Sequence, residues 1–128
     1  MGKKILASTA TLKRKVLHTG RETELKLVPV DGNHGIKFKR VDIEPPVIIP
    51  ADANYVIATN RSTTVGSGEI SITTIEHLLA ALAGLDVDNV LIEVDGPEIP
   101  ILDGSAKPFV QAIKAAGLKQ AEEDGREI

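Results

Sequence analysis

The strongest indications of the fold are in Thr74-Ile-Glu-His-Leu-Leu-Ala-Ala-Leu-Ala83 and in Val90-Leu-Ile-Glu-Val94. In the first segment, apolar residues recur at i, i+3, i+4 and i+7, which predicts a helix with one apolar face. Those residues are Ile75, Leu78, Leu79 and Leu82. Gly84 is expected to end this helix in the C′ position. The second segment is a nearly continuous apolar run, typical of a central strand that is covered on both faces.

The first half of the chain has the period of strands. Glu22–Val28 and Ile36–Asp42 alternate polar and apolar residues, and the turn formers of Asp31–Gly35 between them predict a hairpin. Pro45 and Pro46 end the second strand, because proline cannot donate to a strand ladder. Shorter strands are predicted at Ile48–Ile49, Tyr55–Ile57, Ser62–Val65 and Ile70–Ile72.

A second helix is predicted after the central strand. Ser105 can cap its start, Pro108 lies in its first turn, and Gly117 ends it. We therefore expect one α+β domain over residues 1–118, followed by a charged tail or linker over residues 119–128. Its architecture is predicted to be a two-layer one, with a mixed, largely antiparallel sheet and two helices on one face.

Composition excludes several classes of protein. The 128 residues include 15 Lys and Arg against 18 Asp and Glu, a net charge of −3, and only 2% aromatic residues. This balance argues against a nucleic-acid-binding protein, which would carry a concentrated basic surface or aromatic stacking platforms. The chain has no cysteine, so disulfides and a thiol nucleophile are excluded. No apolar run reaches the roughly 20 residues of a transmembrane helix, and we expect a cytoplasmic protein.

Glu76 and His77 are the residues on which chemistry could depend, and each has two interpretations. Thr73-Thr-Ile-Glu76 matches a capping box, in which the glutamate binds a backbone N–H. His77 could be an ordinary solvent-facing residue. However, their helix flanks carry small residues where a free surface would carry Lys, Glu or Gln; these are Ala80, Ala81 and Ala83. That pattern suggests close approach by a second layer, a substrate or a partner.

An imidazole beside a carboxylate suits metal-assisted hydrolysis. A neutral imidazole is a good zinc ligand, and a carboxylate can act as a general base. Catalytic zinc takes three protein ligands, so His77 alone cannot hold it. His34 is interpreted as a turn residue, and His18 either lines a pocket or ends a strand. Nothing in the spacing shows that the three histidines converge.

Two other segments are interpreted as structural. The loop Glu98–Ser105, rich in proline and glycine, is expected to be a rigid connection in which Asp103 favours the start of the next helix. The basic residues Lys37, Lys39 and Arg40 are expected to form a small solvated strand face.

The segments Ile75–Gly84 and Asp88–Ser105 together resemble the N-terminal domain of the UDP-3-O-acyl-N-acetylglucosamine deacetylases, the zinc amidases of lipid A biosynthesis. Further pieces of the resemblance occur in order along the chain: Leu17–Gly20, Asn33–Asp42 and Thr59–Thr64. The similarity extends over nearly the whole sequence.

The resemblance implies a role for individual residues. His77 would be one ligand of a Zn²⁺ cofactor, and Glu76 would be the general base that activates the water attacking the acetamide of a UDP-sugar lipid precursor. Residues that would border the substrate are Leu17, His18, Asn60, Ser62 and Thr63.

The resemblance also implies that this chain carries only the first half of the site. Family enzymes are about twice as long, and their second domain supplies a histidine and an aspartate as the other zinc ligands. We therefore expect the chain to be inactive alone and to need either that second domain or a second copy of itself. The alternative is a non-catalytic or engineered module that self-associates through its helix layer, where Ala80 and Ala81 are expected to be exposed.

Overall fold

The computed structural model describes residues 4–15, 22–30, 34–51, 56–58, 63–67, 70–99 and 105–120. Its strands are β1 (Lys4–Leu6), β2 (Ala10–Lys15), β3 (Glu22–Val28), β4 (Ile36–Arg40), β5 (Val47–Pro50), β6 (Val56–Ala58), β7 (Thr63–Ser67), β8 (Ile70–Thr73), β9 (Val90–Val94) and β10 (Leu118–Gln120). Its helices are α1 (Glu76–Gly84) and α2 (Lys107–Ala116). The α+β class that the sequence predicts is confirmed.

The largest sheet has five strands in the order β2-β3-β9-β4-β5. The β4–β9 pair is parallel and the other pairs are antiparallel. The predicted β3–β4 hairpin is wrong, because β9 lies between these two strands. β9 is a strongly apolar strand, and the central position buries Val90, Ile92 and Val94 completely. Its other face is only half-buried, at Leu91 and Glu93, so the expectation that β9 is covered on both faces is also wrong.

Both helices contribute to the buried face of this sheet, and they contact each other. The predicted apolar face of α1 is confirmed at Ile75, Leu78 and Leu82, which are fully buried, whereas Leu79 is partly buried. The helix side chains and those of the sheet form one hydrophobic core, whose largest members include Leu25, Leu27, Phe38, Ile92, Leu78, Leu82, Phe109 and Ile113. Burial of such a side chain stabilises the fold by about 1.5–3 kcal/mol.

The remaining strands form two smaller sheets, where a single sheet was expected. β6, β7 and β8 make an antiparallel sheet that leads directly into α1. β1 and β10 form an antiparallel pair, so Lys119 and Gln120 belong to a strand rather than to a loose tail. Residues 121–128 lie outside the described residues, and the division into domain and linker stays a prediction. In the described ranges, neither helix has the length and apolar character needed to cross a bilayer.

Both helix ends that contain glycine can be compared with their predictions. α2 ends at Gly117, as predicted; its φ of 93° is one that glycine adopts without steric cost. Gly84 is the last helical residue of α1 and Leu85 is the C-cap, so the C′ assignment of Gly84 is wrong. The left-handed C′ residue is Asp86, with φ of 61°.

Candidate functional site

The candidate site is the start of α1, where Glu76 and His77 form the first two helical positions. Ile75 is the N-cap residue, it is fully buried, and it makes no side-chain capping hydrogen bond. A capping box needs its glutamate at the third helical position, and Glu76 is at the first, so the predicted box is wrong. The reason is that β8 continues through Thr73, whose hydroxyl accepts a hydrogen bond from Thr64 Oγ1 at 2.9 Å. A carboxylate in the first turn is nevertheless favoured by the helix dipole.

The flanks of this helix turn differ from each other. Glu76 and His77 are half-buried. Ala80 and Ala83, which share the flank of Glu76, are exposed, and this confirms the predicted exposure of Ala80. Ala81, one turn beyond His77, is buried, so its predicted exposure is wrong. Ala81 belongs to the core that also includes residues of α2. A helical wheel of α1 cannot show where α2 packs, so it could not predict this burial.

The backbone just before α1 is held to the segment that follows β9. The Thr73 N–H donates to the Pro97 carbonyl at 2.9 Å, and the Ile99 N–H donates to the Thr73 carbonyl at 3.0 Å. These bonds form a short parallel bridge between Thr73 and Glu98. Glu98 itself is buried, with 3% of its surface exposed. The structural interpretation of the loop thus holds for its first two residues, while Asp103 lies outside the described residues.

Thr74 has a backbone conformation that sequence reasoning missed. Its φ is 65°, and only 5% of its surface is exposed. Threonine is β-branched and disfavours positive φ, so no local pattern predicts a left-handed turn at this position. The consequence is an abrupt passage from strand to helix just before Glu76.

Arg40 was expected on a solvated basic face, and this expectation is wrong. It is only 9% exposed, and its Nε and Nη2 donate to the two carboxylate oxygens of Asp42, each at 2.8 Å. Its Nη1 donates to the Ser71 carbonyl at 2.9 Å, so one guanidinium joins β4 to β8. The period-two alternation of β4 contained this signal, because Arg40 shares a face with buried Phe38 while Lys37 and Lys39 face the other way.

The histidines do not converge in the described part of the chain. The Nδ1 of His34 lies 2.9 Å from the Gly35 carbonyl oxygen, and this carbonyl accepts from the Val90 N–H at the start of β9. His77 comes shortly after Thr73, which forms a bridge to Glu98 beyond the end of β9. The imidazoles of His34 and His77 therefore lie at opposite ends of β9. His34 lies just before β4 in a segment without regular secondary structure, and its interpretation as a turn residue stays a prediction.

The described ranges supply part of a zinc donor set. Glu76 and His77 provide a carboxylate and an imidazole, both of which zinc accepts, but these ranges hold no group of three His, Cys, Asp or Glu placed to bind one ion. The predicted substrate-bordering residues Leu17, His18, Asn60 and Ser62 lie outside the described residues, and only the backbone of Thr63 is described.

Comparison with known proteins places this chain in a family. The family model for UDP-3-O-acyl N-acetylglycosamine deacetylase matches residues 3–128. Three relatives are named UDP-3-O-acyl-N-acetylglucosamine deacetylase. That of Geobacter sp. (strain M21) is 50% identical over 116 residues, which are 91% of this chain and 38% of the relative. That of Myxococcus xanthus (strain DK1622) is 47% identical over 117 residues, 91% of this chain and 37% of the relative. That of Legionella pneumophila (strain Corby) is 52% identical over 104 residues, 81% of this chain and 34% of the relative. The chain thus spans little more than a third of the length of these curated relatives.

Proposed function

Because the chain belongs to the UDP-3-O-acyl N-acetylglycosamine deacetylase family, we propose that it supplies the Glu76–His77 half of a deacetylase active site. The observation that carries this proposal is the first turn of α1. It places a carboxylate and an imidazole side by side, both half-buried, where a buried isoleucine holds the N-cap position. Exposed Ala80 and Ala83 on the same helix leave room for a substrate or a second domain to approach.

The proposed reaction is hydrolysis of the acetamide on the glucosamine of a UDP-sugar, the substrate class that the relatives' names state. The Glu76 carboxylate takes a proton from a water molecule while the oxygen of that water bonds to the carbonyl carbon of the acetamide. The carbon–nitrogen bond then breaks, the nitrogen takes up a proton, and acetate and a free amine leave. General-base assistance of this kind contributes about 10²–10⁴-fold to rate.

His77 is proposed as one protein ligand of Zn²⁺. When bound, zinc would supply Lewis-acid polarisation of the substrate carbonyl. The imidazole is suited to this role because it is accessible, in the first turn of a helix whose opposite face is anchored in the core. The neighbouring Glu76 carboxylate adds negative charge that favours a cation at the same place.

The rest of the site is also part of the proposal. The other zinc ligands would come from a second domain, or from a second copy of this chain, and the 128 residues alone would be inactive. Leu17, His18, Asn60, Ser62 and Thr63 would border the UDP-sugar lipid precursor. The proposed setting is lipid A biosynthesis in the cytoplasm.

A second candidate is a non-catalytic module on the same scaffold. It is favoured by the exposed small residues Ala80, Ala83 and Gly84 at the end of α1, which would allow a second helix layer to pack closely. The two candidates differ in whether zinc matters.

The test is a complementation assay. The chain is purified with stoichiometric zinc and mixed with the part of the Geobacter relative that follows its matched region, and acetate release from UDP-3-O-acyl-N-acetylglucosamine is measured. We expect no turnover by the chain alone and turnover by the mixture, lowered about 10²–10⁴-fold by Glu76→Gln. His77→Ala should weaken zinc binding about 10-fold or more, and Lys114→Ala, at an exposed position of α2, is the control.

Each outcome of this assay decides between the candidates. Turnover by the chain alone that Glu76→Gln abolishes would mean that a second copy completes the site. A mixture that associates but stays inactive, or turnover that survives Glu76→Gln, would reject the catalytic proposal and favour the module.

A further inference from the structure

The strand-to-helix junction contains backbone strain next to the proposed catalytic pair. In the left-handed region the Cβ of a non-glycine residue crowds the following carbonyl oxygen, and the added branch of threonine makes this worse. Thr74 nevertheless has φ of 65° and is nearly completely buried. Such conformations persist only where the surrounding structure enforces them, and they cluster at functional sites.

The surrounding structure does enforce this conformation, from both sides of Thr74. On the strand side, Arg40 donates to the Ser71 carbonyl, and Thr73 is held through both its N–H and its carbonyl by Pro97 and Ile99. On the helix side, Ile75 is fully buried in the core. The chain must therefore turn at the single residue between these two anchored positions.

We propose that Thr74 is a positioning residue whose left-handed backbone, held in place by the Arg40–Ser71 and Thr73–Pro97–Ile99 contacts, sets where Glu76 and His77 lie. This inference deepens the proposed function, on which its importance for chemistry rests. The backbone conformation carries the role, and the threonine hydroxyl does not.

The experiment is a rescue in the whole 128-residue chain. Arg40→Met removes the hydrogen bond to Ser71, together with the two bonds to Asp42, with little change in volume, so the strained turn should relax. The amide NMR signals of Glu76 and His77 should then shift, and the zinc concentration at half-titration of the His77 imidazole should rise about tenfold. Adding Thr74→Gly should restore the wild-type shifts and bring the midpoint within about twofold of wild type, because glycine adopts positive φ without steric cost.

Two controls separate positioning from general stability. Asp86→Gly relieves a second left-handed non-glycine residue, at the far end of α1, and should not rescue Arg40→Met. Thr74→Val on its own should leave the signals and the midpoint unchanged, because it replaces the hydroxyl with a methyl group and keeps the branched side chain. If Arg40→Met does not fold, Arg40→Lys replaces it, since lysine cannot pair with Asp42 through two parallel bonds and also reach Ser71.

The amide shifts test the positioning without zinc, and the titration tests the proposed function. Failure of Thr74→Gly to restore the shifts, equal rescue by Asp86→Gly, or a change caused by Thr74→Val would each overturn the inference. Restored shifts in a chain whose His77 imidazole never responds to zinc would support the positioning role and count against the zinc role.

Discussion

The two ends of α1 contain the same backbone feature in opposite settings. Each has a non-glycine residue with positive φ, Thr74 before the helix and Asp86 after it. Asp86 is exposed and lies in the turn that ends the helix. The Asp86 N–H donates to the Ala83 carbonyl at 3.2 Å, and the Val87 N–H donates to the Leu82 carbonyl at 2.9 Å. This is a Schellman motif, and Leu82 and Val87 are both buried in the core, as that motif favours.

The N-terminal end of α1 has no comparable local capping motif. Thr74 is buried and β-branched, the N-cap side chain makes no capping bond, and the contacts that hold the turn come from β4 and from the segment after β9. A terminus optimised for stability would have serine or aspartate at the cap and glycine at the turn. Long-range contacts therefore hold the strand-to-helix turn in a conformation that the local sequence disfavours, at the end of α1 where the proposed catalytic pair lies.

The largest expected effect on stability is at the C-terminal end of α1, where the Schellman motif lies. Leu82→Ala removes the side chain that joins the Schellman motif to the core, and it should lower the free energy of unfolding by about 2–5 kcal/mol. Urea denaturation followed by circular dichroism measures this loss. Ala80→Ser on the exposed face is the control, and a loss as small as the control's would contradict the assigned core position of Leu82.

The next largest effect on stability is expected on β4, where the buried charge of Arg40 is compared with the outward-facing charge of Lys37. Arg40→Ala leaves the Asp42 carboxylate and the Ser71 carbonyl without their guanidinium bonds, and should cost about 1–3 kcal/mol. Lys37→Ala, on the outward face of the same strand, should change stability by less than about 0.5 kcal/mol. Equal losses in the two variants would place Arg40 on the solvated face after all.

A smaller change, of opposite sign, is expected at Asp86. Asp86→Gly removes the cost of a left-handed non-glycine residue and should raise the free energy of unfolding by up to about 1 kcal/mol, since part of the gain is lost to the flexibility of glycine in the unfolded chain. Thermal unfolding under identical conditions measures it. A destabilised variant would show that the aspartate side chain contributes more than its backbone conformation costs.

The smallest effect compares the starts of the two helices. Neither N-cap residue, Ile75 of α1 or Ala106 of α2, makes a side-chain capping bond, so the predicted capping of α2 by Ser105 at the N-cap is wrong. Ser105 lies one residue before the N-cap of α2, where its Oγ accepts a hydrogen bond from the Lys107 N–H at 3.2 Å. Ser105→Ala should cost about 0.5 kcal/mol, and Ser105→Asp should restore most of it. No loss on changing Ser105 to alanine would mean that both helices start without side-chain support.

Much of the local structure could be predicted because it follows from periodicity. The alternation in β3 and β4 and the helical spacing in α1 predicted these elements within a few residues, and Gly117 marked the end of α2. Glu76 and His77 stood out for their chemistry and for the alanines beside them. Their proposed roles, and those of His18 and Asn60, stay predictions.

The sequence alone predicted most of the core-facing positions in β3, β4 and α1, because burial repeats with the local period of the backbone. Which elements meet depends on the tertiary structure. The insertion of β9 between β3 and β4, the burial of Ala81 and the Arg40 bond to Ser71 all depend on partners distant in sequence. The left-handed turn at Thr74 is the clearest case, because threonine disfavours that conformation and contacts from two other segments impose it. A short stretch of sequence contains none of those contacts. They form only in the folded chain, where burial of the common core outweighs the local backbone preference.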